Sequence, residues 1–187
     1  MTSDERRRII ESFGRAPVLL TTALRQLPKR MWLYKPAPER WSIHEIILHL
    51  ADSEASAYIC CRRLIAEPGR DLADFDAARW AGTLGYFHQS TREALEIIRR
   101  LRSMTYQLVA AVPVPIWSRI AAIAADPITL EAWVQHQERH IPHHIEQMQE
   151  NHRIWLLMNP QRRSAVRSAA LGIPSPDSGP ALSPQVC

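Results

Sequence analysis

Apolar residues recur at helical spacing in four stretches of the chain, with polar residues filling the positions between them. A period near 3.6 residues marks amphipathic helices packed on a common core. The first stretch, roughly Asp4 to Gln26, sets Ile10, Phe13, Leu20, Ala23, Leu24 and Leu27 near one face. Pro17 lies inside it and has no backbone donor, which predicts a kink or a late start there. Pro28 ends the helix, and Lys29 to Arg40, with Pro36 and Pro38, reads as a loop. Ser42 followed three residues later by Glu45 is a capping box. It opens a second helix from about Ile43 to Ala66, stopped by Pro68-Gly69, with Ile43, Ile47, Leu50, Ala57, Cys61 and Leu64 as its stripe.

The span from Glu67 to Gln89 has no period. Its glycines, 69, 82 and 85, and its aromatics Phe75, Trp80, Tyr86 and Phe87 predict a long connection with one short helical turn. Such a connection either borders a site or covers one end of the core. A second capping box, Ser90 with Glu93, starts a third helix that runs to about Ala111. Its stripe is Ala94, Ile97, Ile98, Leu101, Met104, Leu108 and Ala111, and Pro113 and Pro115 terminate it. Ile116 to Pro127 is apolar but broken. Thr129 caps a fourth helix to about Leu157, with Leu130, Val134, Ile141, Ile145 and Met148 facing inward. Pro142 sits within it and predicts a kink or a bulge. No stretch alternates as a strand does. The expected fold is therefore all-α, a four-helix bundle over residues 1–160. Beyond Pro160 the period vanishes, and the run PSPDSGPALSPQVC makes residues 161–187 an expected disordered Pro/Ser-rich tail.

The fourth helix also carries the candidate chemistry. It holds His136, His140, His143 and His144, four of the eight histidines of the chain. At ~100° per residue, with Ile141 as the centre of the buried face, His144 lies roughly 60° to one side and His140 roughly 100° to the same side. His136 and His143 fall about 140° and 160° away, toward solvent. Spacing alone permits either adjacent pair of the i, i+4, i+8 series His136, His140 and His144; the stripe favours His140 with His144. Two imidazoles one turn apart can share a metal ion, and a further ligand must come from another helix. His49 stands at the edge of the stripe of the second helix, roughly 100° from Leu50. His44 falls on the opposite side and is expected to be exposed. Asp52, one turn from His49, is a candidate partner for its ring. Cys60 shares a side with His49 but lies roughly 16 Å along the axis, too far for a common ion.

Composition narrows the function classes. The chain has 187 residues, 46% apolar and 22% charged, as a single globular domain would. No run of about 18 apolar residues is present, so no membrane span is expected. The N-terminal stretch lacks the apolar segment of a signal peptide, which places the expected location in the cytoplasm. Cys60, Cys61 and Cys187 form no disulfide framework. A net charge of +4 is too small for a dense nucleic-acid-binding face.

Three motifs carry a family resemblance. They are WSIHEIILHLADSE at Trp41 to Glu54, DPITLE at Asp126 to Glu131, and HIPHHIEQM at His140 to Met148. In this order, over roughly Ile10 to Trp155, they resemble the DinB/YfiT-like superfamily of bacterial helical bundles. The resemblance implies a divalent metal, Zn²⁺ or Ni²⁺, held by His49, His140 and His144, the positions that the helix edges also pick out. It further implies a transferase that uses a low-molecular-weight thiol, or a hydrolase, acting on a small molecule. The alternative is a non-enzymatic metal-binding bundle of stress-response type. Association, most simply as a homodimer through an outer helix face, is the remaining partner expectation. Three neutral imidazoles leave an open position on the ion, the layout of a catalytic rather than a structural site.

Overall fold

The computed structural model describes residues 1–67, 69, 71–72, 76–123 and 126–159. The expected tail and Phe75 lie outside them. Five α-helices account for most of the described chain: α1 Ser3–Arg25, α2 Ile43–Ala66, α3 Ala77–Thr83, α4 Thr91–Ala111 and α5 Leu130–Met158. α1, α2, α4 and α5 form a four-helix bundle in which α1 packs on α5 and α4, and α2 packs on the same two helices. No helix among the described residues is long and apolar enough to cross a membrane.

The helix starts follow from local chemistry. Ser42 accepts from the Glu45 amide, and the Glu45 carboxylate accepts from the Ser42 amide at 2.7 Å. Thr2 and Glu5 make the same reciprocal pair at the start of α1. Ser90 accepts from the Glu93 amide, but the return bond of the expected box is not made. Each such cap satisfies donors that the first helical turn leaves orphaned. Both internal prolines are accommodated. α1 and α5 are helical throughout, with Pro17 buried and Pro142 half-buried, so neither the late start nor the bulge occurs. Pro142 still denies a backbone donor to the Glu138 carbonyl. The Glu138 side chain meanwhile accepts from Ser12 Oγ at 2.5 Å, tying α5 to α1.

Three expectations are corrected. Short strands exist: β1 Asp71–Leu72, β2 Ile120–Ile123 and β3 Asp126–Thr129 form one sheet in the order β1-β2-β3. β1 runs parallel to β2, and β2 runs antiparallel to β3 with Ala122 opposite Pro127. Strands of two to four residues are too short to display a period. Pro127 is tolerated because β3 is an edge strand. The connection between α2 and α4 holds the two-turn α3 and a 3-10 turn at Tyr86–His88, more than the one turn expected. Finally, Ile97 and Met104 of the expected α4 stripe are exposed, and Arg102 and Thr105 are buried instead.

That last correction exposes the plan of the interior. Two apolar clusters fill the bundle. One contains Leu20, Leu24, Ile47, Ile98, Ile141 and Met148; the other contains Cys61, Leu64, Val109, Trp117, Leu130 and Val134. Between them along α2, α4 and α5 stand Glu54, Arg102 and Gln137. Arg102 Nε donates to both Glu54 oxygens at 3.1 and 3.0 Å, and Nη2 adds a further bond to Oε1. Arg102 Nη1 donates to the Gln137 carbonyl at 3.1 Å, and the guanidinium lies 4.1 Å from the centre of the Phe13 ring. Burial pushes the Glu54 carboxyl up, and the Arg102 charge pulls it back. One arginine on α4 thus ties together α2, α5 and α1.

Candidate metal centre

α2 and α5 face one another where His49, His140 and His144 converge. One ligand-capable atom from each lies within 4.8 Å of the other two. The ring centroids are 5.4 Å apart for His49 and His140, 4.8 Å for His49 and His144, and 4.7 Å for His140 and His144. His49 and His144 are buried and His140 is half-buried, so the histidines expected at the helix edges are largely inside. Trp41, the residue before the α2 cap, covers them. Its ring lies 4.6 Å from His49 and is stacked at 6.4 Å on His144, and its carbonyl accepts from Asn151 Nδ2 at 2.8 Å.

The donor set fits a divalent ion. His140 Nε2 and His144 Nε2 are 3.2 Å apart. Two ligands on a tetrahedral ion with bonds of ~2.0–2.1 Å stand roughly 3.3–3.4 Å apart. His144 Nδ1 lies 2.9 Å from Gln147 Oε1, an acceptor that holds the proton on Nδ1 and leaves the Nε2 lone pair free. The Gln147 amide nitrogen in turn lies 2.9 Å from His143 Nε2. His140 Nδ1 is buried without a hydrogen-bond partner among the described residues. Ser53 Oγ lies 3.4 Å from His49 Nε2.

Electrostatics favour the neutral, ligating form of each ring. Burial, then the neighbouring His144, pushes His49 from the ordinary 6.5 down to about 4. Burial, His144, His49, His136 and the Arg102 charge push His140 to about 3. His144 falls to about 4, chiefly by burial, with Gln147 opposing. The linkage has a definite sign. As pH falls below 6.5 the unfolded chain takes up protons that the folded state refuses, so stability falls until the folded values are reached. The metal-free protein is therefore expected to lose about 1.4 kcal/mol for each histidine between pH 7.5 and pH 5.5. Denaturant unfolding at the two pH values measures it; equal stability would refute the burial of three neutral imidazoles.

The remaining sequence candidates divide clearly. His136 and His143 are exposed and outside the converging trio, their rings 6.3 Å from His140 and 5.5 Å from His144. Asp52 does not serve His49. It accepts from the Tyr86 hydroxyl at 2.5 Å, and burial followed by this carboxylate pushes the Tyr86 phenol up. His44, expected to be exposed, is half-buried with Nε2 2.8 Å from the Tyr86 carbonyl. Tyr86 thus anchors the 84–89 segment to the outer side of α2. Sequence reasoning did not place Trp41 or Asn151 at the site. A signal for Trp41 existed: it stands at N′ with Ile46 at N4, the positions of a hydrophobic staple. Beside His144 a cavity of about 260 Å³ opens, lined by Glu39, Arg40, Trp41, Gln147 and Asn151 among others. Of the trio, His144 is the member that lines it.

A family model described as the DinB superfamily matches residues 12–148, a span that includes all three histidines. No curated protein matches the chain. Among solved structures it is similar to YfiT from Bacillus subtilis, described as "a probable metal-dependent hydrolase with an unusual four-helix bundle topology". That likeness has a TM-score of 0.75 at 17% identity and covers 93% of this chain and 91% of that one. With the family model spanning most of the bundle and both histidine-bearing helices, the chain belongs to the DinB superfamily.

Proposed function

We propose that the chain is a divalent-metal-dependent enzyme acting on a small molecule, either as a hydrolase or as a transferase that uses a low-molecular-weight thiol. The observation that carries this reading is the convergence of three imidazoles from two helices, next to a cavity that His144 lines. His49, His140 and His144 are the ligands in this reading, and Zn²⁺ or Ni²⁺ suits an all-imidazole set. When bound, such an ion supplies a Lewis-acid centre that makes a coordinated water or thiol acidic near neutral pH. Gln147 orients His144, and Trp41 keeps bulk water from the inner side of the rings. Arg40 offers a contact for an anionic substrate group. Glu39, the carboxylate that lines the cavity, offers a hydrogen-bond acceptor to a substrate. The description of YfiT supports hydrolysis; the resemblance of the motifs supports thiol transfer.

The exposed Ile97 and Met104, seven residues apart on α4, support the homodimer of the associative reading. Metal content and turnover separate the two. The full chain, purified without a histidine tag and reloaded with Zn²⁺ or Ni²⁺, is expected to hold close to one equivalent by mass spectrometry. It is then expected to hydrolyse simple esters or amides, or to transfer a small thiol to a generic electrophile, only in the loaded form. Less than a few tenths of an equivalent would end the metal reading. A full equivalent without turnover in either assay would favour association.

A further inference from the structure

On the opposite side of the bundle from the histidines, α1 and α4 leave a groove of about 960 Å³ that shares no lining residue with the site. We infer that this groove binds a single-chain aliphatic carboxylate. The volume lies at the upper end of the ~300–1,000 Å³ of small-molecule sites. Its floor is aliphatic: Leu20, Leu24 and Leu27 from the α1 side, Leu95 and Ile98 from α4. The stretch of α4 along it, Thr91 to Arg99, spans eight residue-to-residue steps and so roughly 12 Å at the helical rise, about the length of an extended decanoate chain. Trp32 also lines it.

The rim selects the head group. Glu96 is engaged by Arg99 at 2.7 Å and by Arg100 at 2.6 Å. That leaves Arg25, Lys29 and Arg92 on the rim against Glu93, and none of these three cations has a carboxylate partner among the described residues. Lys29 Nζ lies 6.0 Å from the centre of the Trp32 ring. Three cations without a carboxylate partner, set against one acid around an apolar floor, complement a ligand with a hydrocarbon tail and one negative charge. A neutral or cationic amphiphile leaves that charge unanswered, and a polar anion leaves the floor unfilled. The inference does not depend on the metal centre.

Calorimetric titration of the full chain with octanoate, decanoate and dodecanoate, each below its micelle-forming concentration, tests the tail. Affinity is expected to rise on the order of tenfold for each two-carbon step. Decyltrimethylammonium, with the same tail and the opposite charge, tests the rim and is expected to bind at least ~10-fold more weakly than decanoate. Arg25→Glu with Arg92→Glu, at exposed positions, should lower decanoate affinity by about tenfold. Thr21→Trp, also exposed and on the groove wall, should block it. Equal binding of decanoate and the ammonium amphiphile, or unchanged binding in Thr21→Trp, overturns the inference. So does a doubled mass by light scattering, relieved by Thr21→Trp, with no carboxylate binding: a second copy of the chain would then occupy the groove. The wild-type arms need no variant to fold.

Discussion

Alanine in place of His49, His140 or His144 is expected to lower divalent-metal affinity at least ~10-fold, while His136→Ala and His143→Ala change it by less than about threefold. The contrast rests on geometry. His140 and His144 present their Nε2 atoms to one another at 3.2 Å, and His49 closes the third side from α2. His136 lies a turn nearer the start of α5 and is exposed; His143 turns its Nε2 to Gln147 instead. Gln147→Leu should cost on the order of tenfold without touching an ion, by releasing the Nδ1 proton of His144 from its acceptor. The measurement is a competition titration against a chelator on six single variants. A large loss at His136 or His143 with His144 silent would show that the ligand pair is misassigned.

Arg102→Met is expected to destabilise the fold by about 3–5 kcal/mol, a fall in Tm on the order of 10 °C for a chain of this size. Both partners of the ion pair are almost fully buried, Arg102 at 1% exposure and Glu54 at 2%. Removing the guanidinium strands the carboxylate in the interior and also frees the Gln137 carbonyl. Glu54→Gln should cost a similar amount by leaving an arginine that cannot give up its proton. The double variant Glu54→Leu, Arg102→Met should recover most of the loss, because a buried pair adds little over well-packed apolar side chains. Denaturant unfolding of the three variants decides it. A single substitution costing less than about 1 kcal/mol would mean that water reaches the pair. The pair lies between the two apolar clusters, and its bond to the Gln137 carbonyl falls one turn before His140. Its second effect is therefore on the register in which α5 presents its histidines.

How far the chain could be read without coordinates differs from element to element. The four long helices were legible because each has two or more turns of apolar period and a start signal in side-chain chemistry. Ser42 and Glu45 mark the first residue of α2, and Thr129 marks that of α5. The three histidines of the candidate centre were legible as positions, since the angle from a helix stripe is a local property that ~100° per residue determines. The cap boxes and the stripes act within one turn or one helix, and that is why the sequence by itself determined a four-helix bundle with His49, His140 and His144 near its inner faces.

Tertiary structure decided what depends on partners far apart in the chain. Arg102 belongs to no apolar stripe on α4, and its burial is compensated in charge and hydrogen bonds by Glu54, 48 positions earlier. With that pair inside, Ile97 and Met104 of the same helix are left exposed. Asp52 is one turn from His49 in sequence, yet it serves Tyr86, which the 84–89 segment brings in from 34 positions away. The short strands arise because β2 pairs with both β1 and β3, a registration that no two- to four-residue run encodes alone. Pro142 is the same lesson in reverse. A local rule predicts a break, but Ile141 and His144 on the buried side of α5 are held by α2 and Trp41, and continuous packing outweighs one missing backbone bond. Local angles bring the histidines to the inner face; contacts between helices bring them within reach of a single ion.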